Sequence, residues 1–244
     1  MQGGLPGRCQ IRPAARDHVD MTSQRTVLGI DWARPRWVAV VLADGAAARV
    51  LADGDLPALG GRFPDAACVG VDMPIGLPEA GERAADAEAR RFVGARRSSV
   101  FMTPPAAVLS ADSYTEANAI AAQRSEKGIS QQAWGLRVNI GRVAAVAATD
   151  PRVIEVHPEV SFAALAGGGM RAAKTTWNGQ MDRRAALVRA GILLPEDLGE
   201  AGLVPVADVL DAAAVAWSAR RFAAGEARSF PAAASPGDRQ VIWY

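Results

Sequence analysis

Three apolar, β-branched runs follow one another almost without pause in the first quarter of the chain: TVLGID (26–31), WVAVVLADG (37–45) and AARVLAD (47–53). Spacers this short leave no room for a crossover. The three runs must therefore fold back on one another as an antiparallel meander, with the Asp-Gly pair at 44–45 marking a turn. After a weak helix or loop at 55–64 comes a fourth run, ACVGVD (67–72), apolar enough to lie in the middle of a sheet. A fifth, RVIEVHP (152–158), arrives only after a long and mainly helical stretch, and strands separated by helices add in parallel.

Helices are expected at 82–94, stopped by Gly94, at 113–128 with Gly128 as C-cap, and at 130–149 with Ser130 as N-cap. Pro104 and Pro105 make 95–106 a loop. Further helices are expected at 159–167, at 180–191 up to Gly191, and at 207–225, ending at Gly225. The whole reads as an α/β chain with a mixed five-stranded sheet, a helical insertion at about 80–150, and the strand arrangement of the ribonuclease H-like fold. In that arrangement the first and fourth strands are parallel neighbours. Asp31 and Asp72 then meet at the sheet edge where ligands of open α/β sheets bind.

Composition narrows the function classes. The chain has 244 residues, enough for one large domain, read here as 26–244. A net charge of +1 provides no global basic field for gripping long nucleic acid, although a local basic patch stays open. Cys9 and Cys68 form neither a metal motif nor a disulfide framework, which points to a reducing, cytoplasmic compartment, and Cys68 reads as a buried small hydrophobe. Residues 1–25 lack periodicity and lack the apolar core of a signal peptide. They are expected to be a disordered extension, with Met21 as an alternative start. No run of about 18 apolar residues occurs, so no membrane span is expected.

Two aspartates forced together raise each other's pKa unless a cation neutralises them. Hard ions such as Mg²⁺ or Mn²⁺ prefer such oxygen ligands, and a pair of ions can activate water and stabilise a leaving phosphate oxygen. Taken singly, Asp31 could instead cap the loop DWARPR and Asp72 could form an Asx-turn before Pro74. The segment ADVLDA places Asp208 and Asp211 on one side of the strongest helix, where they would complete the site or else act only as an N-cap and a first-turn acid. In EVHPE, Glu155 and His157 share a strand face and Glu159 opens the next helix. His157 and Glu159 are candidates for proton transfer or substrate contact.

Arginines cluster at 83–97 and offer a phosphate patch, chiefly Arg90, Arg96 and Arg97 with Ser98 and Ser99; the alternative is a salt-paired helix face with Asp86 and Glu88. Lys174 and Arg183, flanking TTWNGQ, are further candidates for phosphate. No Walker A loop or dinucleotide glycine pattern is present, and the glycines at 167–169 read as a flexible turn.

Seven segments in order, GIDWARPRWVAVV, VGVDMPIGLPE, RAADAEARRFVGARRSSVFMTPP, YTEANAIAAQRSEKGISQQAWGLRVNI, VIEVHPEVSFAAL, KTTWNGQMDRR and DVLDAAAVAWSARR, make the chain resemble the domain of unknown function 429 family over roughly 27–224. That family is described as predicted nucleases of ribonuclease H fold. The resemblance implies candidate acids at Asp31, Asp72, Glu159 and Asp211, with Asp208 beside them. Ala207 stands where members often carry the first of two adjacent acids, and DWARPR replaces a glycine-rich loop.

The expectation is a phosphodiester hydrolase dependent on Mg²⁺ or Mn²⁺. Its metal would be held by Asp31, Asp72, Asp208 and Asp211, and its substrate would be nucleic acid or a small phosphorylated molecule. A non-catalytic binding protein that keeps the fold is an alternative. A nucleotide-dependent phosphotransferase is another, although DWARPR offers it neither Gly nor Thr for a phosphate loop.

Overall fold

A computed structural model describes residues 25–244. The expected N-terminal extension, Met21 and Cys9 lie outside the described residues. The meander forms as its spacing requires: β1 (Thr26–Ala33), β2 (Arg36–Ala43) and β3 (Arg49–Asp53) pair antiparallel in turn. The short α1 (Leu56–Gly61) leads to β4 (Cys68–Val71), which runs parallel to β1. Then come α2 (Ala84–Val93), α3 (Tyr114–Ser125) and α4 (Gln131–Thr149). Ser130 caps α4 by accepting a hydrogen bond from the Ala133 amide at 3.1 Å. β5 (Val153–Glu155) adds in parallel to β4, giving the order β3-β2-β1-β4-β5. The chain continues through α5 (Pro158–Ala166), α6 (Trp177–Arg189), α7 (Val206–Ala223), β6 (Ser229–Phe230) and β7 (Ile242–Trp243).

Several boundaries differ from the sequence reading. Residues 95–106 are not all loop, because Gly94–Ser99 wind into a 3₁₀ turn and a second spans Ala106–Ser110. The fifth strand stops at Glu155, which leaves His157 outside it. α3 ends at Ser125 and is capped by Glu126 in the left-handed conformation, two residues before Gly128. The β6–β7 ribbon was not expected at all.

The alternation of β1 explains the layering. Leu28 and Ile30 join α1 and α4 in one core, through Leu59, Ile140, Val143 and Ala147. Val27 and Ala33 join α5, α6 and α7 in the other. Helices thus cover both sheet faces, as mixed and parallel sheets demand. α7 is almost wholly buried because its sheet side is alanine: Ala212, Ala213, Ala216 and Ala219. That side lies so near the sheet that a Cβ on Gly29 would come 2.0 Å from the Ala216 amide nitrogen and 2.3 Å from the Ala212 carbonyl oxygen. Gly70, paired with Gly29 across the β1–β4 ladder, meets Val215 of the same helix. Glycine is needed at both positions for want of space. Among the described residues, no helix is long and apolar enough to cross a membrane.

Candidate metal centre

The strand period of two sets the site. Gly29 and Asp31 share one face of β1, and Gly70 and Asp72 share the same face of β4 and its extension. The parallel register aligns Gly29 with Gly70, and the Asp72 amide donates to the Ile30 carbonyl at 2.9 Å, so the two acids come side by side. Because α7 rests on the glycines, its N-terminal turn overhangs the acids. Asp208 and Asp211 precede Ala212 and Ala216 by about one helical turn, the same axial offset that separates Asp31 from Gly29. One oxygen from each of Asp31, Asp208 and Asp211 lies within 4.8 Å of the others, and Asp72 is near enough for its charge to act on Asp31. Asp31 and Asp211 are buried, whereas Asp72 and Asp208 are partly open.

Burial, the charge of Asp72 and then the charges of Asp211 and Asp208 hold the Asp31 carboxyl well above its ordinary range. Burial, with Asp211 next, pushes Asp72 up to about 7. Burial also raises Asp208, and it raises Asp211 against the opposing pull of Lys174. Lys174 donates to Asp211 Oδ2 at 2.5 Å. Burial disfavours its ammonium, but the carboxylates, Asp211 foremost, raise its pKa on balance. Carboxylates facing one ammonium form a hard, oxygen-only donor set short of positive charge. Asp31, Asp208 and Asp211 could hold a metal ion, with Asp72 at their edge.

A cavity of about 210 Å³ opens beside the cluster, lined in part by Asp72, Asp211, Lys174, His157 and Glu159. Thr103 Oγ1 and Glu159 Oε1 are buried without a hydrogen-bond partner, and both residues face this cavity. At its floor the Arg83 guanidinium bridges Asp86 at 2.5 Å and Glu155 at 2.6 Å, and Glu155 Oε2 accepts from the Ile75 amide at 2.8 Å. This triad fixes the chain turn that follows Asp72. Burial raises the Glu155 pKa, and Arg83 draws it part of the way back.

Other expected contacts fall elsewhere. His157 caps α5: its Nδ1 accepts from the Glu159 amide at 3.2 Å, and its Nε2 meets the Ser99 carbonyl at 3.3 Å. That pattern demands a neutral ring with the proton on Nε2, and burial lowers its pKa in the same sense. With both nitrogens engaged, His157 holds the start of α5 in place. Glu159 pairs with Arg183 at 2.7 Å.

The phosphate patch is corrected in most of its members. Arg183 is wholly buried and spends Nη1 on the carbonyls of Ala172 and Gly179. Arg90 donates to the Val100 carbonyl, and Arg96 donates to those of Met170 and Arg171. Arg97, with Arg90 and Arg91, borders a separate surface hollow, and Ser98 is exposed. Ser99 does reach the cavity, but its hydroxyl donates to the Arg96 carbonyl. Asp208 is no N-cap: that position before α7 is held by Pro205, which has no capping side chain. Cys68 is buried with its thiol pushed up to about 12, an inert core residue.

The family model described as "Protein of unknown function (DUF429)" matches residues 29–235, a span that runs from Gly29 through every acid of the cluster. The chain belongs to the DUF429 family. No curated protein and no solved structure matches it. The signal that the sequence reading of this DUF429 chain passed over is the repeated Gly-X-Asp of GID and GVD. The glycine admits the helix, and the aspartate two residues on meets the helix's own acids.

Proposed function

We propose that this DUF429 protein is a divalent-metal-dependent phosphodiester hydrolase of ribonuclease H-like fold. The observation that carries the reading is the convergence of Asp31, Asp208 and Asp211 within 4.8 Å at the sheet edge, with Asp72 adjoining. The order β3-β2-β1-β4-β5, with β2 antiparallel to both its neighbours, supports the fold assignment. Asp31, Asp208 and Asp211, with Asp72, would hold Mg²⁺ or Mn²⁺. A bound ion of this kind lowers the pKa of water and takes up charge on a phosphate oxygen. The protein's own contribution is to seat the carboxylates against α7 and to screen Asp31 and Asp211 from solvent.

That cavity favours a small phosphorylated substrate or a single-stranded end over the interior of a long duplex. Extended nucleic acid needs a run of free cations along its phosphates, and the arginines nearest the site are committed to backbone carbonyls or to buried acids. Labelled RNA, DNA, hybrid duplex and dinucleotides incubated with Mg²⁺ or Mn²⁺ test both points. Cleavage is expected to fall by about 10²–10³ in Asp31→Asn, the loss typical of removing one electrostatic element of a hydrolytic site. Undiminished cleavage in that variant or in Asp72→Asn would defeat the proposal.

The raised carboxyls also set a pH dependence. In the folded protein they keep protons that an unfolded chain, with aspartates near 4, has already released. Without metal, the stability from these groups is therefore present at low pH and lost as pH rises through their folded values, which for Asp72 is about 7. His157, lowered by burial, acts in the opposite sense below about 6.5, as a single group. A metal needs ionised ligands, so the rise in Tm on adding Mg²⁺ to protein stripped with chelator is expected to be larger at about pH 8 than at about pH 6. Scanning fluorimetry at the two values is enough, and an equal rise at both would contradict the assignment.

A further inference from the structure

Lys174 occupies the cluster in a way that the hydrolase reading does not by itself require. Its Nζ lies 2.5 Å from Asp211 Oδ2, and among the described residues Asp31, Asp72 and Asp208 form no ion pair at all. The backbone around it is fastened on both sides. Arg96 holds the carbonyls of Met170 and Arg171, at 3.2 and 2.8 Å, and Arg183 holds that of Ala172 at 3.1 Å. Beyond it, Gly179 packs so tightly on this loop that a Cβ there would fall 1.9 Å from the Ala173 carbonyl oxygen. The side chain itself is 43% exposed. A fixed loop thus presents a movable ammonium to the ligand oxygens.

The choice of residue bears on its role. The chain has 27 basic residues, of which only Lys127 and Lys174 are lysines. A guanidinium locks onto carboxylates through a planar fork, whereas an ammonium is a compact point charge on a flexible stem. Among the side chains it is the nearer imitation of a small cation, and it can leave by rotating its own bonds.

We propose that Lys174 is the cluster's resident counter-ion, bound to Asp211 in the metal-free protein and displaced from it when a divalent ion binds. The inference rests on the metal-site reading above. Lys174 sets the affinity of the site by competing for Asp211, and it keeps the four acids from facing one another unneutralised when metal is scarce.

Having only two lysines makes the exchange directly visible. Protein labelled with ¹³C at the lysine ε carbon gives two side-chain signals, assigned through Lys174→Gln. Lys127, paired with Glu82 and 71% exposed, serves as the internal control. On titration with Mg²⁺, the Lys174 signal is expected to move in step with the heat of binding measured by calorimetry, while that of Lys127 stays. Lys174→Gln and Lys174→Met are both expected to bind Mg²⁺ about tenfold tighter or more, because a positive charge at contact distance has been removed. Binding seen only in the variants would overturn the exchange, since the native lysine would then not give way to the ion. Mg²⁺ binding that leaves the Lys174 signal in place, or variants that bind no more tightly than the native protein, would overturn it while leaving the metal site standing. No heat from native protein or from either variant at about 10 mM Mg²⁺ would overturn the metal site and this inference together.

Discussion

Gly29→Ala is expected to destabilise the protein by about 3 kcal/mol or more, at the upper end for overpacking, because the new methyl group would meet helix backbone instead of a side chain able to yield. Its nearest neighbours, the Ala216 nitrogen at 2.0 Å and the Ala212 oxygen at 2.3 Å, cannot rotate away. The whole of α7 must lift from β1. For a chain of this size the loss corresponds to a fall in Tm of roughly 6–12 °C. Gly54→Ala is the matched control, since a Cβ there meets nothing within 4 Å. Thermal unfolding followed by circular dichroism reads both. A Gly29→Ala Tm equal to that of Gly54→Ala would show that the helix does not rest on the strand as described. Because α7 carries Asp208 and Asp211, the same substitution should also weaken any metal binding that Asp31, Asp208 and Asp211 support, even in protein that remains folded.

Arg83→Met is the second large effect. The substitution strips the counter-charge from Glu155 and Asp86, which are 5% and 1% exposed, and breaking a buried ion pair from one side costs about 3–5 kcal/mol. The direction with pH follows from Glu155. Burial already raises its pKa, and without Arg83 it rises further. The folded variant then holds a proton that the unfolded chain loses above about 4.3, so its deficit grows as pH increases. Denaturant unfolding at about pH 5 and about pH 8 is expected to show the smaller deficit at the lower pH, and adding Glu155→Gln should recover part of it at the higher pH. A deficit independent of pH, with no recovery, would mean that the triad is not what holds the turn after Asp72.

These two effects mark where the sequence could and could not be read. The meander, the parallel addition of β4 and β5 and the acidic helix were legible, because each rests on local periodicity or on spacer length. Asp31 and Asp72 could be paired by topology alone. The Gly-X-Asp repeat was present but was read only for its acid, although a glycine in a buried strand signals close backbone approach. The role of His157 was also signalled, since a proline directly after it favours the first turn of a helix and makes the histidine its cap. The Arg83–Glu155 and Lys174–Asp211 contacts had no such signal. They join residues 72 and 37 positions apart, and nothing local in the sequence tells which acid either cation will meet. The arginine segment misled for the same reason: a one-dimensional cluster does not say that its members turn to different backbone carbonyls. The SF and IW strands of the β6–β7 ribbon, two residues each, are too short to carry any period.

The seating of Ala212 and Ala216 on Gly29 has a consequence in time. During synthesis β1 emerges first, and the helix that covers its inner face emerges almost a whole chain later. Until then that apolar face of β1 and β4 has no cover, and Asp31 and Asp72 have no acids from above. Contacts so distant in sequence close slowly and leave sticky surface exposed while they wait. A nascent chain cannot assemble the four-acid centre before the ribosome has passed α7. If the centre cuts phosphodiesters, it becomes competent only after the messenger that encodes α7 has been read.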